Sequence, residues 1–315
     1  MSDLGVTRRR FIALGAAAGL AVPAAGVLGT TPTSRNPSAA KSVGIALGGG
    51  GARGLAHIVI LEALDELGVK PARIAGTSMG AMIGALYASG LPAREIRALA
   101  ASVIPGQSKA ADGEVSFLKR EVFKWIDLVD PNVGSGGLLD AHGLLMFMHN
   151  KIKVSTFEEL KTPLQVVAGD IWRHEQVVLD SGDLKSAVAA SMAFPGIFSA
   201  QRVNDQVLVD GGTVNPVPYD LLRPHCDIVI AVDVSGRRTF SSNKEPTFFE
   251  SIFNSFQTMQ HVILDEKIRR EPPDIYVKPD LVDIRLLDFA KANDVYTQAL
   301  TAKDELLRRL QQLLA

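Results

Sequence analysis

The sequence predicts an α/β protein, a three-layer α/β/α arrangement with a largely parallel central sheet. Short apolar runs rich in Val, Ile and Ala alternate with stretches of helical spacing from residue 42 onward. Several of these runs are apolar throughout rather than alternating, as strands covered on both faces are. Glycine clusters stand where the first two runs give way to helix, which is where α/β chains place functional turns.

The first forty residues read as an address rather than a fold element. Thr7-Arg8-Arg9-Arg10-Phe11-Ile12 precedes an uncharged run that extends to Gly29 and is rich in Ala, Gly, Leu and Val. A basic segment followed by a weakly hydrophobic one is the pattern of an export signal, and the paired arginines resemble a twin-arginine signal. The expected location is therefore periplasmic or secreted. An uncleaved signal would instead hold the protein at the inner membrane. Ser38-Ala39-Ala40 is the best-placed cleavage site, and residues 30–40 read as a solvated linker.

In the body, Ser42–Leu47, Arg73–Ala75, Leu164–Ala168, Val207–Val209 and Asp227–Val234 read as strands, and 54–67, 79–90 and 184–192 as helices. Residues 105–160 break this rhythm. Pro and Gly there punctuate two helical pieces, 117–128 and 140–151, expected over the sheet edge or the pocket mouth. Phe117, Phe123, Trp125 and Met146 are among the apolar residues that either line a pocket or fill core. Beyond Gly236 come a polar loop, a long helix near 247–270, an extended Asp274–Lys278 and a terminal helix near 291–314. The domain reading is 1–40 signal and linker, 41–240 catalytic domain, and 241–315 a mainly helical extension packed on it.

Composition narrows the function classes. With 47% apolar and 21% charged residues, the chain can bury a core, and disordered or fibrous readings fall away. Its one cysteine, Cys226, allows neither an internal disulfide nor a thiolate metal cluster. Four arginines and a single acid lie within residues 1–40, so the body is more acidic than the net charge of -1 suggests. Such a surface gives no electrostatic footprint for nucleic acid.

Two glycine-rich turns carry the chemistry. The first, Gly48-Gly49-Gly50-Gly51-Ala52-Arg53-Gly54, joins a strand to a helix, and its unobstructed N–H groups at a helix start favour an anion. A dinucleotide fingerprint reads the same way, but its acid should end the second strand and Glu66 falls inside a helix. The second, Gly76-Thr77-Ser78-Met79-Gly80, is G-x-S-x-G at a strand–helix join, a nucleophile elbow. Paired on consecutive units, the two turns point to acyl transfer, with Ser78 as nucleophile and a developing oxyanion as the anion.

A serine needs a base. His225 lies in a polar turn, His261 falls within a helix, and His57, one turn after the glycine loop, reads as packing or hydrogen-bonding behind the site. His142 and His149 have no third ligand in register, and His174 sits in a polar turn, so no metal site is expected. The sharper candidate is Asp210, which ends an apolar strand and precedes Gly211-Gly212. A positioned and partly desolvated carboxylate has raised basicity.

In this order, Gly49-Gly50-Gly51-Ala52-Arg53-Gly54, Gly76-Thr77-Ser78-Met79-Gly80 and Asp210-Gly211-Gly212 resemble the three motifs of the patatin-like phospholipase family. Ala190–Phe198 is similar to the family segment ahead of the aspartate, and residues 274–290 to the tail of its bacterial members. The resemblance spans about 42–236. It implies a Ser78–Asp210 dyad without histidine, metal or cofactor, and an oxyanion hole from Gly49, Gly50 and Gly51. It further implies loop support from Arg53 and Gly54, and a substrate that is a lipid or fatty-acyl ester. Gly212 departs from the alanine frequent at that place. Peripheral membrane contact is the lesser reading of the apolar side of helix 247–270. Two alternatives stand beside the hydrolase: a catalytically silent lipid-binding module on the same fold, and a Rossmann-type oxidoreductase in which Ser78 has no role.

Overall fold

The computed structural model describes residues 41–104, 154–239 and 248–315. The export segment, the helices expected over 117–128 and 140–151, His142, His149 and the apolar residues between Phe117 and Met148 lie outside these.

In chain order the elements are β1 (Val43–Leu47), α1 (Ala56–Glu66), β2 (Arg73–Thr77), α2 (Met79–Ala88), α3 (Ala93–Val103), β3 (Leu164–Asp170), β4 (Glu175–Leu179) and α4 (Leu184–Ser191). They continue with β5 (Gln201–Val203), β6 (Gln206–Asp210), β7 (Ile228–Val232), α5 (Phe248–Arg270), β8 (Ile275–Val277) and α6 (Ala292–Leu314). Strands β3, β2, β1, β7 and β8 are parallel neighbours, while β4 and β6 pair β3, and β5 pairs β6, antiparallel.

The two sheet faces differ in side-chain size. Val43, Ile45 and Leu47 of β1, with Ile74, Ile230 and Val232, pack under α1, α2 and α6 in one large apolar cluster. Each fully buried Ile or Leu there stabilises the fold by about 1.5–3 kcal/mol. The opposite face carries Ala46, Ala75 and Ala231 with Val229, over which Tyr219, Leu222 and Leu264 of α5 pack. Helices thus lie on both faces, which is the expected three-layer architecture. The 241–315 segment is more than an added layer, because β8 extends the sheet beside β7 and α6 packs on α1.

One feature of register positions the site. The first half of one edge of β3 is taken by β2, with Thr77 opposite Val167, and the second half by β6, with Asp210 opposite Ala168. Because β6 runs antiparallel, it meets β2 head-on, and Ser78 and Asp210 emerge at the junction. The expectation that Asp210 ends a strand is met, but the strand runs against β3. The cause is local: Asn204, at φ 53°, closes a tight hairpin between β5 and β6, which turns β6 back along β3.

Candidate active site

A cleft opens at the C-terminal edge of the parallel strands, with Gly49, Gly50, Gly51, Arg53, Ser78 and Asp210 in its wall. Phe194 and three residues of α5, Phe253, Gln257 and Gln260, complete it with Leu286. Among the described residues no group of His, Cys, Asp and Glu could hold a metal ion.

Ser78 sits on a sharp strand-to-helix turn at φ 54°, ψ -123°, a conformation that is costly for a residue with a Cβ and persists only when its surroundings enforce it. Two glycines make the turn possible. A Cβ at Gly80 would stand 2.0 Å from the Leu47 carbonyl oxygen, and one at Gly76 2.6 Å from the Ala81 Cα. The positive end of α2 begins at Ser78 itself.

The Asp210 carboxyl accepts the Gly212 N–H at Oδ1, 2.7 Å away, and interacts with the Ser78 side chain, which favours its charged form. Burial pushes the Asp210 carboxyl up to about 6, outweighing both interactions. Gly211 packs against β3 so closely that a Cβ would stand 2.2 Å from the Val167 carbonyl oxygen.

The glycine loop divides its donors. Gly48 N–H donates to Val232 at 3.0 Å and Gly49 N–H to Pro216 at 3.0 Å, so the expected trio of oxyanion donors loses Gly49. The loop must bond back to the chain that follows β6, and Gly49 supplies that bond. Gly50 and Gly51 keep their N–H groups without a main-chain acceptor among the described residues. Gly51 adopts φ +56°. Gly54 lies against Met79, the first residue of α2.

Arg53 does not offer a free charge. It is buried, donates from Nε to the Gly50 carbonyl at 3.4 Å and from Nη1 to the Ser235 carbonyl, and faces the Gln257 amide, whose oxygen accepts it at 2.9 Å in the amide orientation that satisfies both groups. Burial brings its guanidinium down to about 10 despite the opposing pull of Asp233, so it stays protonated at neutral pH. His57 is also buried. Its Nε2 lies 2.7 Å from the Gly48 carbonyl, its Nδ1 has no partner, and burial drops it to about 4, so it holds the loop from behind as a neutral donor. His225 and His174 are exposed, and none of His174, His225 and His261 lines the cleft. Glu66 ends α1 and pairs with Lys303, so the dinucleotide reading finds no acid at the end of β2.

Sequence reasoning missed three contributors. Gln257 and Gln260 come from a helix far along the chain. Ser191 is fully buried behind the elbow and accepts the Ser78 N–H at 2.8 Å.

Residues 45–223 match the family described as "Patatin-like phospholipase". An uncharacterized NTE family protein of Mycobacterium tuberculosis is 32% identical over 200 residues, covering 63% of this chain and 51% of that protein. Lysophospholipase NTE1 of Coccidioides immitis is 27% identical over 293 residues, covering 86% of this chain and 18% of that protein. The chain thus spans about half the length of that mycobacterial relative. Among solved structures, VipD from Legionella pneumophila aligns at a TM-score of 0.45 and 14% identity, covering 84% of this chain and 67% of that one.

Proposed function

This chain belongs to the patatin-like phospholipase family, and from that premise and the geometry of the cleft we propose that it is a serine-dependent hydrolase of lipid acyl esters. Phospholipids, lysophospholipids and simpler carboxylic esters are its substrate class. The observation that carries the reading is Ser78, held at a strained elbow, with its side chain interacting with a buried Asp210 whose basicity burial has raised.

In the proposed reaction Asp210 takes the Ser78 proton while Oγ attacks the ester carbonyl carbon. The oxyanion that develops is met by the N–H groups of Gly50 and Gly51 and by the positive end of α2. Collapse breaks the bond to the alcohol, and protonated Asp210 returns the proton to the departing oxygen. Water then attacks the acyl-enzyme, giving its proton to Asp210, and Ser78 leaves as the free hydroxyl with the fatty acid released. Arg53 serves the loop, engaged by the Gly50 and Ser235 carbonyls and by Gln257.

Purified protein assayed on p-nitrophenyl esters and phospholipids tests the reading. Ser78→Ala and Asp210→Asn should each remove nearly all turnover while leaving the circular dichroism spectrum intact. A Ser78→Ala protein with most of its activity overturns it.

Peripheral contact with a bilayer belongs to the same reading. No helix among the described residues is long and apolar enough to cross a membrane. The β3–β4 turn projects beyond the sheet edge where the cleft lies and carries Ile171 and Trp172, the latter 75% exposed. Helix α5, which lines the cleft, leaves Ile252, Met259 and Val262 exposed. Wild type should co-sediment with phosphatidylcholine vesicles better than Trp172→Ala. Equal partition would remove the turn from this role. Export through a twin-arginine route is part of the proposal as well, on the strength of Arg8-Arg9 before Phe11.

A further inference from the structure

The short segment at the end of α4 touches both members of the proposed dyad. Ser191 Oγ accepts the Ser78 N–H at 2.8 Å and donates to the Val167 carbonyl at 2.6 Å. Two residues on, the Ala193 carbonyl accepts the Asp210 N–H at 3.0 Å. The Ser191 hydroxyl has one proton, and it is committed to Val167, so toward Ser78 it can act only as an acceptor. Ser191 is 0% exposed, so no water can take its place without repacking.

The position of this hydroxyl has a structural reason. Thr77 is the last residue of β2 in register with β3, opposite Val167. At Ser78 the chain swings away from the sheet, and its N–H can no longer reach β3 directly. The Ser191 hydroxyl fills the gap between them, relaying the hydrogen bond that the departing strand gives up. The same Val167 carbonyl is the atom against which Gly211 packs. Nucleophile and base are therefore both referenced to one point of β3 and to one turn, Ser191–Ala193.

We infer that Ser191 is a positioning residue: its hydroxyl holds the Ser78 main chain in the strained elbow and, with the Ala193 carbonyl, sets the distance between the nucleophile and its base. The inference rests on the reading of Ser78 as nucleophile. It also explains why Ser78's own N–H is no oxyanion donor, since that N–H already points at Ser191.

The test compares wild type, Ser191→Ala, Ser191→Cys and Ser78→Ala in the full chain. An alkyl fluorophosphonate measures the reactivity of Ser78, and a p-nitrophenyl ester separates kcat from KM. Ser191→Ala should lower both kcat and the phosphonylation rate by on the order of 10²-fold, the cost of a nucleophile displaced by about 1 Å, with KM changed little. The pH at which activity is half-maximal should also rise, because a loosened Ser78 side chain no longer favours the Asp210 carboxylate. Ser191→Cys, which keeps a weak donor and acceptor, should fall between the two, and it carries the test if Ser191→Ala does not fold. A lowered Tm with unchanged phosphonylation rate and unchanged pH midpoint would reduce Ser191 to a structural residue and overturn the inference. A Ser78→Ala protein that still turns over ester would instead overturn the nucleophile reading on which it depends.

Discussion

The N–H of Gly212 donates to Oδ1 of Asp210 at 2.7 Å, so part of the carboxylate is fixed by its own turn and the remainder is turned to Ser78. A carboxylate held in this way loses little by reorientation when it accepts a proton. Its ionisation, however, is set mainly by burial, which raises it to about 6. Since only the carboxylate can act as base, kcat/KM should rise with pH along a single limb of unit slope with its midpoint at about 6, and stay level above it. Arg53, the charged group that shares the cleft, stays protonated across this range and adds no limb. A midpoint near 4 would mean that the carboxylate is well hydrated in solution, contrary to the buried position of Asp210.

The same burial makes Asp210 a liability to the fold. Its pKa rises from 3.8 unfolded to about 6 folded, so between those values the folded state binds more protons than the unfolded one. Stability is therefore unpenalised below about pH 4, declines as pH rises through about 6, and is lowered by a constant amount above that. Asp210→Asn removes the ionisation and keeps an oxygen for the Gly212 N–H. It should be inactive yet more stable at pH 8 by on the order of 2–3 kcal/mol, with the difference vanishing near pH 4. Urea denaturation at pH 4, 6 and 8 reads this directly. An Asn variant less stable than wild type at pH 8 would contradict it.

Histidine should be dispensable for turnover. His225 and His261 lie away from the cleft, and replacing either with Ala should cost no more than about threefold in kcat, against roughly 10⁴ for a lost triad imidazole. His57 differs, because its Nε2 holds the Gly48 carbonyl, so its replacement should disturb the glycine loop without adding or removing a titration. A collapse of kcat at His225 or His261 in a folded protein would return the site to a histidine-based triad.

How much of this was legible in the sequence depends on how local each feature is. The elbow at Ser78 and the glycine loop declare themselves as glycine patterns at strand–helix joins, although the contacts that demand the glycines reach as far along the chain as Leu286. Asp210 is legible as a strand-end carboxylate, but its approach is not: the head-on meeting of β2 and β6 depends on where an antiparallel hairpin docks on β3. Strand β4 is missed because it follows a polar turn at Arg173-His174 and pairs β3 antiparallel, outside the strand–helix alternation by which the parallel strands are read. Ser191, Gln257 and Gln260 are invisible to any periodicity, since each acts on a partner far away in the chain that no spacing rule connects to it.

Location has its own test. If Arg8-Arg9 is read as a twin-arginine address, changing both to Lys should strand the protein in the cytoplasm, folded and active, because such an address is read by a receptor and is no part of the proposed chemistry. Fractionation with an esterase assay decides it. Undiminished arrival of the double-Lys variant in the periplasm would assign a different export signal or an N-terminal anchor.

Gly212 departs from the alanine frequent in this motif, and α5 supplies the reason. A Cβ at Gly212 would stand 2.0 Å from Gln260 Nε2 and 3.0 Å from Asp210 Oδ1. The first contact is with the far end of a flexible side chain, so Gln260 must swing out of the cleft wall. The second presses on the carboxylate that Gly212 itself orients. Gly212→Ala should therefore slow kcat/KM by about three- to tenfold, chiefly through the displaced Gln260, whereas Gln260→Ala alone should cost less. If the space is shared as the contacts imply, the double variant recovers most of the loss, with a coupling of about 1 kcal/mol between the two positions. The cycle needs four proteins and one ester substrate. Strictly additive losses would mean that the alanine acts on Asp210 alone, and the glycine here would then owe nothing to helix α5.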